Sequence, residues 1–163
     1  MKYIIISLFY LFSNLAVAQE VQVFGLGNHE SKEIKCLAKN IYYEAGNEDF
    51  TGKLAVAQVT ANRVNDGRFP TSFCGVVGQK GLINGKHVCQ FSWYCTSKRT
   101  EDPPNNQKYQ ESTEVARKVI KGELKFWYLK EALYFHSSTT NPQWGKVKVD
   151  AIGNHIFYKD YKK

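Results

Sequence analysis

The sequence is short of cysteine and proline, with four of each in 163 residues. Four cysteines are too few for a disulfide-only miniprotein, and a chain of this length buries a core without them. There is no Gly-X-Y period, low-complexity tract or internal repeat, which excludes collagenous, disordered and solenoid architectures. The longest apolar run, Tyr3 to Phe12, is about ten residues, where a bilayer span takes roughly 20. Acidic residues are also scarce: 15 Asp and Glu face 22 Lys and Arg, a formal charge of +7. Such a balance favours polyanionic partners (nucleic acid, anionic membranes or cell-wall polymers) without choosing among them. What is present, 43% hydrophobic and 23% charged residues, is the composition of a globular domain, and the length suits one.

Lys2 precedes the apolar run and Ala16-Val17-Ala18 follows it. This is the three-part pattern of a secretory signal peptide over residues 1–18, with cleavage expected after Ala18. The protein is then secreted or periplasmic, with no stable membrane insertion after cleavage. Export makes two disulfides the default for Cys36, Cys74, Cys89 and Cys95. Three pairings are possible; the one expected joins Cys74 to Cys89, drawing a hairpin onto a short helix, and Cys36 to Cys95. The cysteines lack the short gaps of a zinc ribbon. A thiol nucleophile with His136 or His155 as base is the rival use.

Residues 19–30 read as an extended lead-in. From Ser31, a plausible N-cap, the apolar positions Ile34, Leu37, Ala38, Ile41, Tyr42 and Ala45 recur at helical spacing, and Gly46-Asn47 stops the run. Asp49 is placed to cap a second helix over Phe50 to Val64. Its segment Leu54 to Val59 is apolar nearly all round and implies burial in the middle of the domain. Gln58, Asn62 and Arg63 are its polar exceptions. Ser72 to Gly78 reads as one or two helical turns. Asn84-Gly85 between Leu82-Ile83 and His87-Val88 is a two-residue hairpin signal. Thr96 to Gln107 reads as surface loop, Lys108 to Lys121 as an amphipathic helix closed by Gly122, and Ala132 to His136 and Ile152 to Tyr158 as short strands.

Glu44 stands in the last turn of the first helix, beside two tyrosines and next to a buried helix. A carboxyl partly desolvated there holds its proton near neutral pH and can act as an acid, although a solvated glutamate fits the same spacing. Glu48 and Asp49 offer a second carboxylate for glycoside chemistry; helix capping is their alternative. Between Cys89 and Cys95, polar and aromatic residues alternate as on a strand. Gln90, Trp93 and Tyr94 suit a glycan groove, whereas Phe91 and Trp93 equally suit a core. His136 and His155 invite a metal site, but no Asp/His cluster completes one. Twenty-three aromatics (10 Tyr, 10 Phe, 3 Trp) would serve nucleic acid by stacking, yet the basic residues are scattered and no nucleic-acid-binding signature is present.

Six strings occur in one order: Asn40 to Ala45; Leu54 to Val59 with Asn62 to Val64; Arg68 to Pro70; Cys74 to Val77 with Gln79; Cys89 to Trp93; and Ile152 to Tyr158. Together they resemble the SleB/CwlJ-type cell-wall hydrolases from about Cys36 to Tyr158. The resemblance implies an α+β, lysozyme-like fold of the goose-type lysozyme and lytic-transglycosylase kind, with a helical lobe and a small β lobe. It implies a catalytic domain over residues 31–163 and Glu44 of the Tyr-x-Glu-Ala motif as catalytic acid. The implied substrate is the peptidoglycan glycan strand, cut between N-acetylmuramic acid and N-acetylglucosamine. No metal or organic cofactor, no nucleic acid and a monomer are expected. One departure stands out: Ala45 is followed by Gly46, Asn47 and Glu48, where the family commonly reads Glu-Ala-Arg-Gly-Glu.

Gln58, Gln79, Gln90 and Ser92 are polar residues in apolar motifs and are candidates for binding N-acetyl and hydroxyl groups. Trp93, Tyr134, Trp144 and His155 are candidates to line the cleft. With Glu44 alone, cleavage ends in a 1,6-anhydro ring; with Glu48 or Asp49 suitably near, a hydrolytic muramidase or glucosaminidase results. A Cys36/His136 peptidase or amidase, and a glycan-binding module without catalysis, are the other readings.

Overall fold

The computed structural model describes residues 27–161, and residues from Glu33 onward form one compact unit. The expected signal peptide, residues 1–18, and residues 19–26 lie outside the described residues. Among the described residues no helix is long and apolar enough to cross a membrane.

Helix α1 spans residues 27–45. It therefore includes the end of the expected lead-in, and Ser31 lies inside it rather than capping it; nothing from Gly27 to Ser31 breaks a helix as proline would. Gly46 follows its last residue at a position where a Cβ would collide with the carbonyl oxygen of Tyr42. Helix α2, Phe50–Val64, starts at Asp49, whose carboxylate accepts from the Gly52 N–H at 2.8 Å. Every residue from Gly52 to Ala61 is buried, so α2 is the central helix the sequence implies. Helix α3, Phe73–Val77, is capped by Ser72. Helix α4, Gln107–Ile120, is capped by Asn106, and Gly122 follows it with φ +73°. Leu37, Ala38 and Ile41 of α1, Leu54, Ala57 and Ala61 of α2, and Val115, Ala116 and Val119 of α4 form one core.

Strands β1, Lys80–Ile83, and β2, Lys86–Cys89, form the hairpin, with Asn84 and Gly85 both at positive φ as its tight turn requires. Strands β3, Tyr134–Ser137, β4, Val147–Ile152, and β5, His155–Lys159, form a second antiparallel sheet in the order β3-β5-β4. Phe157 of β5 is fully buried against Ala45, Val56 and Val59, which fixes this sheet to α1 and α2.

Two expectations are corrected. Cys89 to Cys95 is not a strand: Ser92–Cys95 is a 3-10 helix. The disulfides join Cys36 to Cys74 and Cys89 to Cys95, not Cys74 to Cys89 and Cys36 to Cys95. An extended run from Cys89 to Cys95 would separate their Cα atoms by roughly 20 Å; the 3-10 turn brings them to 5.7 Å. Cys36 meets Cys74 because the start of α3 docks on α1. There the Glu33 carboxylate, one helical turn before Cys36, accepts from the N–H groups of Phe73 at 2.6 Å and Cys74 at 3.2 Å. No cysteine is free, so the thiol-nucleophile reading falls.

Candidate active site

Glu44 is carried on the last turn of α1, beside the buried residues Ile41 and Ala45, and its own side chain is half-buried. It lines two cavities. One, of about 320 Å³, is bounded by Tyr42, Tyr43, Asn47, Glu48, Lys108 and Asn154. The other, of about 190 Å³, is bounded by Arg63, Gln90, Phe91, Ser92 and Phe135. Burial raises the Glu44 pKa from the ordinary 4.5 to about 7, against the opposing attraction of Arg63. A carboxyl so poised is protonated in a useful fraction at neutral pH, yet gives its proton up readily.

Arg63 is 2% exposed. Its Nε donates to the Leu133 carbonyl at 2.7 Å. Its guanidinium lies over the rings of Phe69 and Phe91, both at 5.4 Å, and Tyr134 at 5.8 Å. With the Gln90 amide turned so that its oxygen faces Arg63, both terminal nitrogens donate to it, at 3.2 and 3.3 Å. Burial lowers the Arg63 pKa to about 10, which leaves it charged at neutral pH. The sequence marked Arg63 as a polar exception on a buried helix but did not place it beside Glu44. A cation inside an otherwise apolar run was the available signal, since such a group survives burial only with partners.

Glu48 shares the larger cavity, but both its oxygens are engaged. Oε1 accepts from the Asn154 side-chain amide at 2.9 Å and Oε2 from the Asn154 backbone N–H at 3.1 Å. Gly153, at φ +55°, has no Cβ because one would run into Oε2. The latch pins the β4–β5 turn beside Glu44. Asp49 is occupied as the α2 cap and lines neither cavity.

The other expected site residues are dispersed. Gln90 and Ser92 reach the Glu44 cavity, Ser92 from the first position of the 3-10 helix and Gln90 from two residues before it. Gln79 lies with Gln90 in a separate cavity of about 340 Å³ along the hairpin, and its Oε1 is buried with no hydrogen-bond partner among the described residues. Gln58 is not brought to Glu44: its amide donates to Asn62 Oδ1 at 2.7 Å and accepts from the Phe126 N–H at 3.1 Å. Trp93 is 6% exposed, with its indole N–H bonded to Asn40 at 3.0 Å and its ring against Tyr43, so it packs the core instead of offering a face to sugar. Tyr134 packs its edge on Trp144, which also meets the His136 ring. His155 is buried against Phe135, its Nδ1 without a partner among the described residues, and burial lowers its pKa.

The family described as Cell Wall Hydrolase matches residues 47–158. The chain belongs to the cell wall hydrolase family. Glu44 lies just before the matched segment. This family member is 29% identical over 135 residues to a spore cortex-lytic enzyme of Bacillus subtilis (strain 168), covering 80% of this chain and 39% of that one. It is 27% identical over 135 residues to a spore cortex-lytic enzyme of Bacillus cereus, covering 80% of this chain and 46% of the relative. The chain thus spans under half the length of these curated relatives. Among solved structures, it is similar to the catalytic domain of the germination-specific lytic transglycosylase SleB from Bacillus anthracis. The TM-score is 0.60 at 26% identity, over 78% of this chain and 93% of that one. The catalytic domain of the Bacillus cereus SleB protein matches with TM-score 0.59 at 24% identity, covering 79% and 91%. The hydrolase therefore has the α+β, lysozyme-like fold of the SleB catalytic domain.

Proposed function

We propose that this cell wall hydrolase is a lytic transglycosylase that cuts peptidoglycan between N-acetylmuramic acid and N-acetylglucosamine, with Glu44 as acid and then base. The observation that carries this reading is the half-buried carboxyl of Glu44, held at about 7, with a cavity on either side of it. A glycan strand laid across it presents one sugar to each cavity. Glu44 donates its proton to the glycosidic oxygen as the C1–O bond breaks. The Arg63 charge then favours the Glu44 carboxylate left behind. That carboxylate takes the proton of the muramic C6 hydroxyl as O6 closes onto C1, giving a 1,6-anhydro end and restoring protonated Glu44. The paired oxygens of Glu48 and the capping role of Asp49 favour this one-carboxylate route over hydrolysis.

Gln90 and Ser92 bind N-acetyl or hydroxyl groups at the smaller cavity, and Gln79 does so along the hairpin, where its unpartnered oxygen accepts a donor. Tyr134, Trp144 and His155 support the cleft wall. The domain comprises residues 31–163 and works as an exported monomer, in the periplasm or outside the cell, after loss of residues 1–18. Mass spectrometry of muropeptides released from purified peptidoglycan tests the reaction, with Glu44→Gln beside the wild type. Anhydro-muropeptides, one water lighter and absent with the variant, are expected. Reducing-end products would overturn the transglycosylase step, and no release would overturn the activity.

A further inference from the structure

A cavity of about 530 Å³ lies away from Glu44 and shares no lining residue with either cavity there. It lies where Gln58 and Asn62 of α2 meet the α4–β3 loop and the end of β5. Its acids are already paired. Asp66 and Asp160 both bind Arg68, Asp160 also binds Lys146, and Glu131 binds Lys159. Lys125 and Lys130, both exposed on its rim, have no ion-pair partner among the described residues. The cavity therefore presents two positive charges, Lys125 and Lys130, that none of its acids balances.

Between those lysines in the sequence is Trp127, 77% exposed, with Tyr128 at 37%; both lie outside the cavity lining, on the surface turn next to it. The loop that holds them is fixed at both ends. The Phe126 N–H donates to Gln58, and Asn62 Nδ2 donates to the carbonyls of Leu129 and Ala132, both at 2.7 Å. Leu129, two residues beyond Trp127, is fully buried. An indole held outward on an anchored turn is preordered for binding and loses little entropy when covered. The amides of Gln58 and Asn62 are thus given to building this loop.

We propose that Trp127, Lys125 and Lys130 form a second binding site for peptidoglycan. A sugar ring stacks on the indole, and a stem-peptide carboxylate lies between the two lysines. The proposal rests on the functional reading above only for the identity of the polymer. Charge complementarity selects this occupant: an anionic peptide attached to a sugar fills both the cationic rim and the aromatic face.

The test is co-sedimentation of the full chain with purified peptidoglycan sacculi, for wild type, Trp127→Ala and Lys125→Glu/Lys130→Glu. Turnover of a short soluble glycan oligomer is measured in parallel. Both variants are expected to lose about tenfold or more in affinity for sacculi, with oligomer turnover unchanged. Wild-type binding should weaken with salt. Unchanged sacculus binding in both variants would overturn the proposal. So would Trp127-dependent binding to vesicles containing anionic lipid with none to sacculi. If wild type cleaves neither substrate while sacculus binding still depends on Trp127, the second site stands and the catalytic reading alone falls.

Discussion

Glu44 and Arg63 face one cavity from successive helices, and each moves the other's proton affinity. Burial pushes Glu44 up to about 7 and Arg63 down to about 10, while their mutual attraction opposes both shifts. The pair is a conditional charge. Glu44 is neutral when the pH is below its raised value and is received by a fixed cation when it ionises.

With Glu44 as the acid, activity is expected to fall above pH about 7 as the carboxyl loses its proton. A plot of log kcat/KM against pH should bend downward there with unit slope. Replacing Arg63 by Met removes the attraction that lowers the Glu44 value, so the bend should move to higher pH. The same change leaves the Leu133 carbonyl and the Gln90 amide without their partner and should cost about 2–4 kcal/mol in denaturant unfolding. A bend that stays in place would show that Arg63 does not act on Glu44.

The raised value also predicts how stability varies with pH. A carboxyl whose folded value exceeds its unfolded one holds extra protons in the folded state between the two, so stability falls as pH rises from 4.5 through about 7. Glu44→Gln abolishes this penalty. The variant is expected to be more stable than wild type at pH 8, by up to ~3 kcal/mol, and nearly equal to it below pH ~4.5. Thermal unfolding across pH reads this difference. A variant less stable at every pH would contradict it.

The Glu48–Asn154 latch makes a coupling prediction. Gly153→Ala places a methyl group against the Glu48 carboxylate in a backbone conformation with φ +55°. It should cost about 2–4 kcal/mol, and Glu48→Ala about 1–3 kcal/mol through the lost hydrogen bonds. The double variant should be less unstable than the sum, because Glu48→Ala removes the obstacle that alanine meets. Strict additivity in urea unfolding would refute that contact.

The two disulfides should separate stability from activity. Cys36–Cys74 spans 38 positions and Cys89–Cys95 only 6. Loop entropy assigns about 4 kcal/mol to the first and about 2 to the second. The shorter one closes the segment that delivers Gln90 and Ser92 to the Glu44 cavity. Paired Cys→Ser variants should show the larger loss of unfolding free energy for Cys36/Cys74 and the larger fall in kcat for Cys89/Cys95.

Much of the scaffold was legible along the chain because its signals are local. Asp49 caps α2 through an N–H three residues away, Asn84-Gly85 adopts the positive φ values its turn needs, and Gly122 closes α4. These choices depend on neighbours within one turn, and the sequence lists those neighbours. Glu44 was legible through the Tyr-x-Glu-Ala resemblance and its place at a helix end, not through its environment.

The rest depended on what meets across the fold. Trp93 and Gln58 each had two plausible surroundings, and packing decided: a partner for the indole N–H at Asn40, and partners for the amide at Asn62 and Phe126. Cysteine pairing turned on whether residues 89–95 ran extended or coiled as a 3-10 turn, a difference that a few residues of local preference do not resolve. The sequence by itself determined the helices, the hairpin, the excess of positive charge and a lone glutamate at the end of α1. Only the tertiary structure decided that Arg63 would stand beside that glutamate and that Trp127 would stand outside. Burial and charge proximity are properties of three-dimensional neighbours, and residues distant in sequence supply most of them.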